Sequence, residues 1–273
     1  MNPGDIFEQL DNLVTKEKQA EAALPFAEYL EYEDFIDVLY KKLEQYIQAL
    51  ENDSDQMVGK DEDGLTSELV RQINASQVFD AESQVKRGGG AVDLVVKGFG
   101  HEWIAEAKKL TSNDKAFEGI LQLVTRYVRR DKKAGLLIYV QSGHFAQKIK
   151  DWKVFLSSSG NWSSYVSNRV EAEYCDVMTT LMQTHSFEAH DTYTSDAKMT
   201  LARGSDLNVR HFFCNLVYMP MDKSATKAAK TRTGLAMETL RDIYDQSVAD
   251  TPKDIDVDEV KKALSLLFRE VKK

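Results

Sequence analysis

Cysteine, proline and long apolar runs are all scarce in this chain. The two cysteines, Cys175 and Cys214, have no CxxC partner, which argues against a disulfide scaffold and a cysteine zinc site. His185 and His190 lack a third ligand at metal spacing, so zinc is not expected there either. No stretch approaches about 18 apolar residues, the minimum for a membrane-spanning helix. Met1-Asn2-Pro3-Gly4-Asp5 offers neither a basic flank nor an apolar stretch, so no signal peptide is expected and the chain reads as soluble, reduced and cytoplasmic. Internal repeats, heptad arrays and low-complexity tracts are also missing. Net positive charge is lacking too: the total is -9.

What is present suits a folded protein. Of 273 residues, 42% are hydrophobic and 29% charged, enough to bury a core. The length exceeds one small domain and falls short of three. The charge is unevenly spread: residues 1–70 carry about -13, 71–150 about +6 and 151–273 about -2. A basic middle behind an acidic leader can meet phosphates locally, although the whole molecule repels a polyanion at long range.

Apolar periodicity predicts a helical region over residues 1–58, interrupted at Pro25, with Leu30, Phe35, Leu39, Leu43 and Ile47 on one face. The polar runs at 51–55 and 59–64 read as a linker. An α/β region over 59–220 follows: a helix through Leu65, Leu69 and Ile73, then strands near 77–86, 91–97 and 102–109. A helix over about 113–130, capped at Ser112 or Asn113, leads to a buried strand at 135–140, expected to lie parallel to the strand before it. Strands at 187–193, 198–203 and 209–219, with His211 packed in the last, complete this region. Residues 221–273 read as two helices, about 226–248 and 257–271. Trp152 and Trp162 flank a serine-rich stretch, 157–160, which reads as a loop over substrate.

The chemistry concentrates between Gly88 and Lys108. Two apolar strands flank Gly98-Phe99-Gly100-His101, which is hairpin-turn sequence. Symmetry about the Phe99–Gly100 bond sets Asp93 opposite Glu106, Val95 opposite Ile104, and Lys97 opposite Glu102 as a charge pair. Alternation then puts Asp93, Glu106 and Lys108 on one face. Two facing carboxylates in an apolar hairpin repel, and one must take up a proton or find a cation. Oxygen ligands of this kind suit Mg²⁺, with Mn²⁺ able to substitute, and a neighbouring lysine can neutralise charge on a phosphoryl group. The Asp/Glu-x-Lys triplet also begins at Asp131, Asp151, Asp196, Glu259 and Glu270, but only at Glu106 does it lie in an apolar strand with an acidic residue on the strand before.

In its order of helix, strand, Asp-bearing hairpin, Glu-x-Lys, helix and strand, the stretch 60–141 resembles the PD-(D/E)XK nucleases of the restriction-endonuclease-like superfamily. Val92 stands where the family's name has proline. The resemblance implies a restriction-endonuclease-like mixed β-sheet flanked by helices, with N-terminal and C-terminal helical extensions. It further implies Asp93 and Glu106 as Mg²⁺ ligands and Lys108 as catalytic lysine. Many such enzymes add a carboxylate from the helix before the sheet; Glu62, on the stripe of Leu65, Leu69 and Ile73, and Glu68, at its edge, are the two candidates. Gln122 and Arg126 on the following helix are candidates for substrate binding. Tyr127 falls five residues after Gln122, about 140° around an α-helix, which separates the two.

The expected function is Mg²⁺-dependent cleavage of phosphodiesters, of DNA more than RNA, with a bacterial defence role by analogy. A protein partner or homo-oligomer is expected to supply affinity, and no membrane partner is. The Gly88-Gly89-Gly90 run lacks the Lys-Ser/Thr of a P-loop and reads as a turn. Two rivals stand beside this reading: a catalytically silent nuclease-like module for protein interaction, and a phosphoester hydrolase acting on nucleotides.

Overall fold

The computed structural model describes residues 30–157, 161–219, 229–249 and 252–268. A seven-stranded mixed sheet flanked by helices forms its centre, with strand order β1-β2-β3-β4-β7-β6-β5. The strands are β1 (Asp80–Arg87), β2 (Gly90–Gly98), β3 (His101–Lys109), β4 (Lys133–Val140), β5 (Ser186–Ala189), β6 (Thr194–Thr200) and β7 (Asp206–Asn215). The β3–β4 and β4–β7 pairs are parallel, and all the others antiparallel.

Helix α1 (Tyr32–Asn52) exists because Phe35, Ile36, Leu39, Leu43, Ile47 and Leu50 recur every three or four residues, and all are buried. A four-residue helix α2 (Ser54–Met57) follows, so much of the expected linker is helical. Helix α3 (Glu62–Ala75) starts sharply because the Asp61 side chain accepts from the Gly64 N–H at 2.9 Å. The helix after β3 is α4 (Asn113–Gln122), capped by Ser112, and it gives way at Leu123–Tyr127 to a π turn. The Val128 N–H bonds to the Leu123 carbonyl, an i→i+5 bond at 2.9 Å.

Three helices escape the sequence pattern: α5 (Phe145–Leu156), α6 (Trp162–Arg169) and α7 (Ala172–Gln183). Trp152 and Trp162 are core residues of α5 and α6, and residues 158–160 between them lie outside the described residues. Helices α8 (Ala229–Ser247) and α9 (Val257–Leu267) end the described chain. The expected helix before residue 30, with Pro25, and the outer ends of the two C-terminal helices also fall outside the described residues.

Sheet alternation splits the core in two. Val95, Ile104, Leu136 and Ile138 pack on α4–α7 with Phe117, Ile120 and Trp152. Leu94, Val96, Trp103, Ala105, Leu137 and Tyr139 pack under α1 and α3. Gly135 is required there, since a Cβ would stand 2.3 Å from the Trp103 ring. Among the described residues no helix is long and apolar enough to cross a membrane.

Candidate functional site

The β2–β3 hairpin has the register that its turn dictates. Val95 pairs with Ile104, Lys97 with Glu102 and Gly98 with His101, and Phe99 and Gly100 both have positive φ, +53° and +76°, as a type I′ turn needs. The expected Lys97–Glu102 ion pair does not form, because flanking strand β1 offers other partners. Lys97 bonds Glu82 at 2.9 Å and Glu102 takes Arg87 at 2.6 Å.

The ladder ends one step before the acidic residues. Leu94–Ala105 is its last pair, so Asp93 does not face Glu106 as a ladder pair. Beyond that point β3 pairs with β4, through Glu106–Leu136 and Lys108–Ile138, while β2 stays with β1. Asp93 sits in the fork, where its Oδ2 accepts from the Ala107 N–H at 2.9 Å.

Four side chains meet at this fork. Lys108 Nζ lies 3.0 Å from Glu106 Oε2, 3.2 Å from Glu62 Oε1 and 3.4 Å from Asp93 Oδ2. Glu62 is delivered by the first turn of α3, and its second oxygen accepts from the Lys109 N–H at 2.9 Å. Asp93, Glu106 and Lys108 are 8%, 1% and 7% exposed. The Lys108 stem passes beneath α4 at Gly119, where a Cβ would come within 2.9 Å of it. Glu68 is absent from this group; it holds Lys60 and Arg71 on the other side of α3's first turns, each at 2.6 Å.

Two further residues join the site without a sequence signal. Gln84 lies in β1 between the pairs Ser83–Leu94 and Val85–Val92, across from Asp93. Its φ is +56°, a left-handed conformation that costs a non-glycine residue about 1–2 kcal/mol. It aims its amide at Asp93 Oδ1 (3.0 Å) and Asp63 Oδ1 (3.0 Å). Tyr127 is brought round by the π turn. An i→i+5 turn holds more residues than an α turn, so a projection at α-helical spacing does not carry across it. The buried Tyr127 ring lies over Gly90, where a Cβ would meet its hydroxyl at 2.5 Å. Gln122 is half-buried, with a buried Oε1 that has no hydrogen-bond partner among the described residues. Arg126 is exposed, and its carbonyl closes on Gly88. The Gly88-Gly89 pair, φ +58° and +113°, makes the β1–β2 turn.

Electrostatically the site is short of positive charge. Three carboxylates share one ammonium. Burial pushes the Glu106 carboxyl up to about 9, with the hydrogen bond and charge of Asp93 adding to the rise and Lys108 only partly opposing it. Burial likewise raises Glu62, against Lys108 and the Lys109 N–H. For Lys108, burial acts downward, yet Glu62, Glu106 and Asp93 together hold the ammonium above its ordinary value. The Tyr127 hydroxyl is raised by burial and then by the charge of Glu106.

Among the described residues no group of three or more His, Cys, Asp or Glu side chains forms a preset metal cage; the carboxylates surround Lys108 instead. Their donor chemistry nevertheless fits a hard divalent cation. All donors are carboxylate oxygens, and the buried Glu106 Oε1 has no hydrogen-bond partner among the described residues. Compared with protein-family models, with curated proteins and with solved structures, the chain matches none of them.

Proposed function

We propose that the protein is a Mg²⁺-dependent nuclease with a restriction-endonuclease-like core, and that the fork between β2 and β3 is its active site. One observation carries this reading: carboxylates from three separate elements converge on a single lysine that cannot neutralise them. A scaffold has no use for such a group, since replacing buried charges by apolar side chains commonly stabilises a fold. Phosphodiester hydrolysis does, because it needs both a hard cation and a fixed ammonium near the phosphate.

In this reading Asp93, Glu106 and Glu62 hold the divalent ion. When bound, that ion supplies Lewis acidity toward a phosphoryl oxygen and lowers the pKa of water. The chain's own residues do the rest. The Ala107 and Lys109 N–H groups fix one oxygen each of Asp93 and Glu62; their other oxygens, which accept from Gln84 and Lys108, would be the ones to hold the cation. Glu106, whose carboxyl is raised, would have to be ionised to hold the cation. Lys108 would offer its ammonium to the phosphate and neutralise charge developing there. Gln84 keeps Asp93 from rotating, and Gln122 and Arg126 offer polar contacts to the substrate strand.

DNA is the substrate that this reading favours, with a protein partner or a second copy supplying further affinity and a role in bacterial defence. The test is incubation with plasmid, single-stranded DNA, RNA and nucleotides, in Mg²⁺ or in chelator, for the wild type and Lys108→Ala. Cleavage of polymer that needs both Mg²⁺ and Lys108 supports the reading. Turnover of nucleotides alone would make the protein a phosphoester hydrolase, and no turnover at all would leave an interaction module.

A further inference from the structure

Helix α8 lies against the chain that follows β3 and β4, and charged and polar contacts hold it there. Glu238, Asp242 and Asp245 recur at i, i+4 and i+7, one face of a helix. Glu238 Oε2 takes the Lys109 ammonium at 2.9 Å. Asp242 accepts from Lys148 Nζ at 2.5 Å and from the Ser142 hydroxyl, and Asp245 accepts from the Thr111 hydroxyl at 2.5 Å. Lys109, Glu238 and Asp242 are buried by this docking.

Apolar anchoring is thin by comparison. Among the α8 side chains that are described, Ala236 is the fully buried hydrophobic one, Leu235, Leu240 and Ile243 are half-buried, and Met237 and Tyr244 are more than half exposed. Burial of an apolar stripe is the ordinary way to dock a helix, whereas buried ion pairs return little net stability after desolvation. Such a helix is held by charged and polar contacts for which a polyanion can compete. What it covers is a row of donors, two ammonium groups and two hydroxyls, beginning at the residue after Lys108. That donor set is the chemistry of phosphate-backbone recognition.

We propose that Lys109, Lys148, Thr111 and Ser142 form a phosphate-binding shelf for the nucleic-acid backbone beside the Lys108 site, and that α8 covers this shelf in the resting protein. Its three carboxylates stand in for phosphates, so the backbone must displace the helix to bind. The choice of nucleic acid as the polyanion rests on the nuclease reading; the shelf and its cover rest on the contacts themselves. The arrangement also reconciles an acidic chain with an anionic substrate, because part of the acidity serves as an internal competitor.

Binding of a short fluorescein-labelled DNA duplex, followed by anisotropy in chelator so that cutting plays no part, tests this directly. The triple variant E238Q/D242N/D245N binds about tenfold tighter than wild type, and its plot of log affinity against log salt steepens by about two as two lysines are freed. Adding Lys148→Gln removes much of the gain. The variant D34N/D37N/E173Q makes the same charge change at exposed positions on α1 and α7 and tightens binding far less. Equal tightening in the two triple variants, or a gain that survives Lys148→Gln, overturns the proposal. Should the buried substitutions prevent folding, hydrogen exchange on the wild type decides: duplex speeds exchange in α8 if the helix is displaced, and unchanged or slower exchange there overturns the cover. Tighter binding by the α8 variant without any Mg²⁺-dependent cutting removes the nuclease reading and leaves the shelf; normal cutting with unchanged binding does the reverse.

Discussion

Glu106→Gln should abolish a pH dependence of stability that the wild type shows in the absence of divalent cations. The Glu106 carboxyl is buried beside Asp93 and pushed up to about 9, from 4.5 in the unfolded chain. A carboxyl raised in this way binds a proton on folding. Its contribution is therefore complete below the unfolded pKa and is lost as pH rises toward 9. One proton taken up corresponds to at most about 1.4 kcal/mol per pH unit, hence up to about 2.7 kcal/mol between roughly pH 6.5 and 8.5. Within that window few other groups interfere. Burial lowers His211 to about 3, so its own effect falls below the window, and the buried Cys214 thiol is pushed above it. Glutamine retains the shape and the donor toward Asp93 but cannot ionise. Urea unfolding in chelator, at several pH values across the window, makes the measurement. The wild type should lose stability as pH rises, the variant should stay nearly level, and added Mn²⁺ should stabilise only the wild type strongly at the alkaline end. Equal slopes for the two proteins would refute the reasoning.

Other perturbations have equally definite outcomes. Lys108→Met leaves three carboxylates without their cation and should cost about 3–5 kcal/mol in chelator, part of it restored by Mg²⁺, in thermal unfolding. Glu68→Gln removes surface pairs only, should change stability by no more than about 1 kcal/mol, and should leave any cleavage rate intact. Gly90→Ala drives a methyl group toward the Tyr127 hydroxyl, 2.5 Å from the ideal Cβ, and should destabilise by about 1–3 kcal/mol; adding Tyr127→Phe should relieve part of that in a double-mutant cycle.

Local signals made the core of the fold legible. The Gly98-Phe99-Gly100 turn and the alternation of Val95, Ile104 and their neighbours gave the hairpin register, and the spacing from Leu65 to Ile73 set Glu62 on the inner face of α3. Gly135-Leu-Leu-Ile-Tyr-Val140 read as a buried strand parallel to β3, as it is. The failures came where tertiary pairing overrides local pattern. Asp93 keeps the expected register and neighbours but forms no ladder pair with Glu106, because the β2–β3 ladder ends at Leu94–Ala105 and its carboxylate takes the Ala107 N–H instead. The π turn at Leu123–Tyr127 moves Tyr127 by an angle that no α-helical projection contains. Gln84 adopts a left-handed conformation with no glycine to announce it. Helices α6 and α7 carry mixed apolar patterns broken by serine and threonine, α5 is interrupted by lysines and Asp151, and the acidic stripe of α8 acquires meaning only from the lysines it faces.

Crystals soaked in Mn²⁺ and measured at the manganese absorption edge put the central claim at stake. An anomalous peak between Asp93 and Glu106, with the Lys108 ammonium drawn away from them, is the predicted result. A fork with no peak, and Lys108 still held among all three carboxylates at saturating Mn²⁺, would contradict it.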